Sequence, residues 1–425
     1  MFHLFLKHCG FTYQRKTPQL AQCRKRNQMN FVGSHIHPAL AGSLSPQISP
    51  EKVINFSPGP TSLPKAVENV IAASVNKPGL TSLALSHRSP EFQEILNHTV
   101  ASVRSTMDIP DNYAVLFAHG GGHGQFAAVP LNLCPHTSDT ATYVVNGTWS
   151  LRGAEEAKKY CKVHAIDGRD PETGAYTCFP ALTEENISAD SRYIYLCSNE
   201  TVNGIELHRL PELPEARKHI PLVIDASSDF ATKPIDWVNG GIGVIFACAS
   251  KNIGHPGLTL VVIRKDLIGE GKASPLCPGV FNYTINTDAE NLWNTPATFN
   301  IEVVGHLMDW IKDEGGVDEI ERRSIAKAQA LYDVIDASNG FYGTPVTNRS
   351  QRSRMNVPFN LMGGDEELTN KFLIQSWEMG MIGLRTLTPF GVGDYLRASI
   401  YNGVTTEDAE KLSEFMRNFA TKHSI

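Results

Sequence analysis

The most constraining feature of this 425-residue chain is a series of short apolar runs along its middle, most of them followed directly by a small polar residue. The runs are 114–118, 142–145, 193–197, 221–224, 244–249 and 258–263, and stretches of helical periodicity such as 150–160 fall between some of them. Several runs are β-branched and apolar at successive positions, so both faces of each strand expect cover from helices. Strand–helix alternation on this scale predicts an α/β domain with a largely parallel sheet. Further on, 299–313 and 317–337 read as long helices, and 355–361 and 396–400 as strands. A final helix starts near Thr406, with Thr405 and Asp408 at the spacing of an N-terminal cap. A chain of this length exceeds the usual single domain. The expected division is an extension over 1–50, a large domain over 51–310 and a smaller C-terminal α/β domain over 311–425.

The first 50 residues contain six basic residues and no acidic one, which leaves 32 basic against 44 acidic residues in the remainder. An acid-free leader bearing Arg, Lys, Ser and Gln has the composition of a transit peptide for a mitochondrion or plastid; a disordered tail, or a start at Met29, is the plainer reading. The overall charge of −6 gives no reason to expect nucleic acid. No stretch approaches 18 uninterrupted apolar residues, so no membrane span is expected. The eight cysteines form no Cys-x-x-Cys pair, and no metal site is indicated.

Open α/β sheets bind ligands beyond the carboxyl ends of their strands, so the residues after each run carry the functional information. After 114–118 comes HGGGHGQ at 119–125, entering an apolar helix. Glycines there let backbone N–H groups approach an anion at a helix N-terminus, although the spacing is neither that of a P-loop nor of a dinucleotide fingerprint. Trp149 follows the second run and could cover a flat aromatic ring. Thr201 sits in a polar cluster after the third. Asp225 ends the fourth, where a carboxylate could keep a pyridine nitrogen protonated. Lys251 follows the fifth almost directly, where desolvation and nearby positive charge would lower its pKa for Schiff-base chemistry. Singly these are a tight turn, a core indole, a capped turn, an N-cap and a snorkelling lysine. In this order they are the parts that pyridoxal phosphate requires.

The motifs NFSPGP at 55–60, SHR at 86–88, the 119–125 loop with FAAVPLN at 126–132, NETVNG at 199–204, KNIG at 251–254, WNTP at 293–296, RMNVP at 354–358 and RASIYN at 397–402 are also recognisable together. From about residue 53 to its end, the chain resembles the phosphoserine aminotransferase family, a branch of the class V aminotransferases. The resemblance implies the fold type I architecture of pyridoxal-phosphate-dependent transferases, with a mostly parallel seven-stranded-type sheet and a smaller C-terminal domain. It implies pyridoxal 5′-phosphate on Lys251, with Asp225 on the ring nitrogen, Trp149 stacked on the ring and Thr201 at the 3′-oxygen. Gly122 and His123 amides would hold the phosphate, joined by Asn294 and Thr295 of a neighbouring subunit, so a homodimer with shared sites is expected. Arg397 would clamp the α-carboxylate, while His87 and Arg88 would receive the distal acidic group. The implied reaction is ping-pong exchange between L-glutamate and 3-phosphohydroxypyruvate.

Three departures stand out. Ser250 replaces the glutamine usual before the lysine, as a shorter contact to the cofactor phosphate, and His123 stands where arginine is common. A C-terminal His-Arg pair that helps bind substrate phosphate is absent, and residues 385–394 read RTLTPFGVGD instead. The alternatives are a related class V aminotransferase acting on another oxo acid, a desulfurase-like enzyme using Cys277, and a scaffold that retained the fold.

Overall fold

The computed structural model describes residues 53–387 and 392–424. The expected leader and the start at Met29 lie outside the described residues. A seven-stranded sheet runs in the order Tyr113–Ala118, Thr259–Arg264, Ile242–Cys248, Leu222–Asp225, Ser191–Cys197, Thr140–Val145 and Lys162–Asp167. Thr259–Arg264 is antiparallel to both neighbours, and the other pairings are parallel. Six of the strands are the expected apolar runs. Lys162–Asp167 was not among them, because it is an edge strand with only Ile166 fully buried and carries polar residues on its open side.

Alternation along each strand feeds two cores. Val115, Phe117, Ile194, Leu196, Ile224 and Ile245 face one side, where Phe92, Leu96 and Val103 of helix Pro90–Thr106 and Ile301, Val304 and Leu307 of helix Thr298–Asp313 pack. Leu116, Tyr193, Tyr195, Val223, Val244 and Phe246 face the other, against Phe126, Ala128 and Val129 of helix Gly121–Leu133 and Ala154 of helix Thr148–Ala157. Burial on both faces therefore follows from strands that are apolar at consecutive positions.

A second, antiparallel sheet pairs Tyr342–Gly343, Asn356–Leu361, Leu396–Ser399 and Arg385–Thr386 in that order. Its core includes Leu331, Ile335, Phe359, Phe372, Leu412, Phe415 and also Phe56. The chain's first described strand, Ile54–Asn55, pairs in parallel with Met381–Ile382. Helix Val317–Asp336 gives Val317 and Ile320 to one core, and Leu331 and Ile335 to the other. The last helix, Thr406–His423, begins with the expected box: Asp408 N donates to Thr405 Oγ1 at 3.2 Å, and Thr405 N donates back to Asp408 Oδ2 at 3.4 Å. Among the described residues no helix is long and apolar enough to cross a membrane, and no group of His, Cys, Asp and Glu side chains could hold a metal.

Candidate active site

The strands ending at Ala118, Val145, Cys197, Asp225 and Cys248 run in one direction, so their following loops meet at one edge of the sheet. They surround a cleft of about 480 Å³, which Gly122, His123, Trp149, Thr201, Asp225, Ser250, Lys251 and Arg397 all line. Of the residues singled out from sequence, His87, Arg88, Asn294 and Thr295 do not line it.

The glycine loop makes its turn with Gly120 at φ 94° and Gly121 at φ 62°, a region that favours glycine. A Cβ on Gly124 would stand 2.9 Å from His119 O, so this tight return also needs glycine. No side chain caps the 13-residue helix that begins there. Its first amides, including those of Gly122 and His123, are thus placed for an anion, with the helix dipole behind them.

Trp149 is the second residue of helix Thr148–Ala157, and that helix is anchored by residues some fifty positions away. The Glu200 carboxylate accepts from Trp149 N at 2.9 Å and from Ser150 N and Ser150 Oγ at 2.7 Å each. Asn203 Oδ1 accepts from Thr148 N at 3.0 Å. A Cβ on Gly147 would collide with the Glu200 carboxylate, so only glycine allows this approach. Trp149 Nε1 in turn donates to Thr201 Oγ1 at 2.7 Å. Burial raises the Glu200 carboxyl, and the bonds from Ser150 and Trp149 oppose it. Glu200 and Asn203 were missed from sequence; their only local signal was a polar string after a strand.

Asp225 is buried, with Ser227 N donating to Oδ1 at 2.9 Å and Tyr195 Oη donating to Oδ2 at 3.3 Å. Burial raises its pKa; the Ser227 bonds and the charge of Lys251 lower it, and the net direction is up. Such a carboxyl gains from a cation within the cleft. Lys251 Nζ stands 5.9 Å from the Trp149 ring centroid, leaving space for a flat group between them. Its backbone is held by Thr61, whose Oγ1 donates to Lys251 O at 2.9 Å. Burial lowers the Lys251 pKa, yet Cys248, Tyr401, Asp225 and Cys197 act upward and the net direction is up. The expectation of a lowered value is thereby corrected: the groups that decide it are acidic, and only the tertiary arrangement brings them around the amine.

Arg397 is 5% exposed and donates from Nη1 to Thr201 O at 2.8 Å. Among the described residues no carboxylate pairs with it. Burial lowers its pKa to about 10, Tyr401 opposes this, and Arg385 adds to the lowering. Arg385 lies directly opposite Arg397 in the sheet, on the same face. Ser250 lines the cleft and donates from Oγ to Cys248 Sγ at 3.6 Å. Away from the cleft, Asn294 Nδ2 lies 3.5 Å from His119 Nε2, and His87 Nε2 is buried with no hydrogen-bond partner among the described residues. Burial pushes the Cys277 thiol up to about 11, which is unlike a reactive thiolate.

The class-V aminotransferase family matches the chain over residues 53–412. The chain belongs to this family. It is 40% identical to a phosphoserine aminotransferase of Ralstonia nicotianae, over 88% of this chain and 97% of that protein. It is 38% identical to phosphoserine aminotransferase 1, chloroplastic, of Arabidopsis thaliana, over 88% of this chain and 84% of that protein. Among solved structures, a PLP-bound phosphoserine aminotransferase from Trichomonas vaginalis superposes with a TM-score of 0.77 at 32% identity, covering 85% of this chain and 99% of that one. The fold is thus that of the pyridoxal-phosphate-dependent transferases. The donor set fits that cofactor: unpartnered helix amides for a phosphate, an indole for a ring, a buried carboxyl for a ring nitrogen and an amine for an aldehyde.

Proposed function

We propose that this chain exchanges an amino group between L-glutamate and 3-phosphohydroxypyruvate, giving 2-oxoglutarate and O-phospho-L-serine, with pyridoxal 5′-phosphate held on Lys251. The observation that carries this reading is the meeting of Lys251, Asp225, Trp149 and Arg397 in one cleft, in a chain 40% identical to a phosphoserine aminotransferase. When bound, the cofactor supplies an aldehyde and a pyridine ring that withdraws electrons from the substrate Cα. Asp225 would keep the ring nitrogen protonated, and a cation there would offset the burial that raises the carboxyl. Amides of Gly122 and His123 receive the phosphate, with Ser250 beside them. Trp149 covers the ring. Thr201 Oγ1 accepts the indole N–H of Trp149, so its own proton would be available to the ring's phenolic oxygen. Arg397 takes the α-carboxylate through two parallel bonds. Lys251 Nζ would take up the Cα proton of the bound amino acid.

The same proposal includes a homodimer with shared sites. Asn294 and Thr295 would reach the cofactor phosphate of the second copy, and His87 and Arg88 the distal acidic group of its substrate. The exposure of Trp293 (46%), Leu80 (66%) and Leu83 (63%) beside these residues supports an interface there. A division into large and small domains near residue 310, and a transit peptide over 1–50 directing the protein to a mitochondrion or plastid, belong to this reading. The chloroplastic relative supports the latter.

Turnover of 3-phosphohydroxypyruvate beside hydroxypyruvate, with glutamate as donor, tests the substrates. A strong preference for the phosphorylated acid is expected. No turnover of it would remove the assignment and leave another oxo acid as acceptor. A visible absorbance band lost in Lys251→Ala is expected; protein that stays colourless with added cofactor would refute the cofactor reading.

A further inference from the structure

The turn 400–404, just after the strand that carries Arg397, is held by a lysine that takes no part in the chemistry above. Lys327, in helix Val317–Asp336, is 3% exposed. Its Nζ donates to Ile400 O, Tyr401 O and Val404 O at 2.9 Å each. An ammonium has three N–H donors, and this cradle uses all three; a neutral amine would supply two and set a lone pair against the third carbonyl. Among the described residues no carboxylate forms an ion pair with it. Burial first, then Arg323 of its own helix, push it down to about 7, while Asp408 of helix Thr406–His423 pushes up. Arg323 is itself paired with Glu314 at 2.6 Å and Glu319 at 2.8 Å. Holding an uncompensated cation in a core is unfavourable, so this arrangement calls for a role.

The turn it holds reaches both ends of the site. Arg397 lies three residues before Ile400. Asn402 N donates to Asn252 Oδ1 at 3.1 Å, and Asn252 follows Lys251 directly. Tyr401 Oη donates to Pro58 O at 3.3 Å. Gly403 sits so close to Ser62 that any Cβ would collide with its carbonyl. The neighbouring Thr61 bonds the Lys251 backbone. One turn thus ties the strand of Arg397 to both flanks of Lys251.

We propose that Lys327 is a positioning residue whose ammonium fixes the turn 400–404, and with it the separation between the Arg397 guanidinium and the Lys251 amine. Those two groups must hold the α-carboxylate and the Cα proton of one amino acid at the same time. The inference rests on the roles given to Lys251 and Arg397 above.

The test is the single-turnover half-reaction of the holoenzyme with L-glutamate and with 4-aminobutyrate, which is glutamate lacking the α-carboxylate and so does not engage Arg397. Lys327→Met is expected to lower kcat/KM for glutamate about tenfold or more, because misplacement near an ångström has effects of that order. The rate with 4-aminobutyrate and the visible cofactor band should stay as in wild type. Equal loss with both amines, or loss with neither, overturns the proposal. If Lys327→Met does not fold, the wild-type ratio of the two rates is followed between about pH 6 and 9, across the ionisation of a lysine in this cradle. The ratio is expected to fall as Lys327 gives up its third donor, and a flat ratio overturns the proposal. A wild type inert toward glutamate at every pH would instead refute the transaminase reading, which keeps the two failures apart.

Discussion

Replacing Arg397 by methionine should separate stability from function. In the fold burial is the chief cause that lowers its guanidinium pKa to about 10, which corresponds to about 3 kcal/mol against the charged form. Methionine relieves that penalty and keeps an apolar stem in place. It forfeits the bond to Thr201 O, a charge-assisted contact worth about 1.5–3 kcal/mol. The two nearly cancel, so the folded protein should be as stable as wild type or slightly more so. The sign is independent of pH near neutrality: the folded value of about 10 and the higher unfolded one both lie well above it, the penalty is fully present below pH 10, and it is relieved only as pH rises further. On the role proposed for Arg397, glutamate, by contrast, loses the partner of its α-carboxylate. Truncating one member of a buried charge pair costs about 2–5 kcal/mol, hence at least a thirtyfold loss in kcat/KM. Urea unfolding midpoints between about pH 6 and 9, beside single-turnover rates with glutamate, measure the two quantities. A variant that loses about 2 kcal/mol or more of stability, or one that retains its glutamate rate, would refute the reasoning.

Two further substitutions probe other links. Arg385→Gln removes the cation directly opposite Arg397. KM for 3-phosphohydroxypyruvate should rise about tenfold while hydroxypyruvate is unaffected, as expected for one lost charge-assisted phosphate contact; equal effects on both acids would exclude that role. Glu302 is held down at about 2 by His306, Ser74 and Ser82, so it stabilises the fold above its ordinary value of 4.5 and ceases to do so as pH falls toward 2. Glu302→Gln should lower stability by about 1–2 kcal/mol at neutral pH, discounted for partial exposure, and flatten the acid limb; an unchanged acid limb would count against the assignment.

Much of this architecture was legible in the sequence because its signals are local. A strand buried on both faces must be apolar at consecutive positions, so six of the seven strands of the main sheet stood out. The edge strand Lys162–Asp167 did not, since its open side accepts polar residues. Loops after parallel strands must emerge at one sheet edge. Lys251, Asp225, Trp149, Thr201 and the glycine loop could therefore be tied to one cleft from their order alone. Arg397 was found by family resemblance rather than by its local pattern. His87, Arg88, Asn294 and Thr295 were expected on the same ground, and they do not line the cleft.

What the sequence by itself determined was which side chains stand at the strand ends, because hydrophobic periodicity and glycine turns act over a few residues. What only the tertiary structure decided was the company those side chains keep. The pairing of Ile54–Asn55 with Met381–Ile382, the Glu200 carboxylate under the helix of Trp149, and the acidic groups that raise rather than lower Lys251 all join distant segments. The physical reason is that solvation, charge and hydrogen bonding act through space, and a local pattern carries no record of which remote group will fill it.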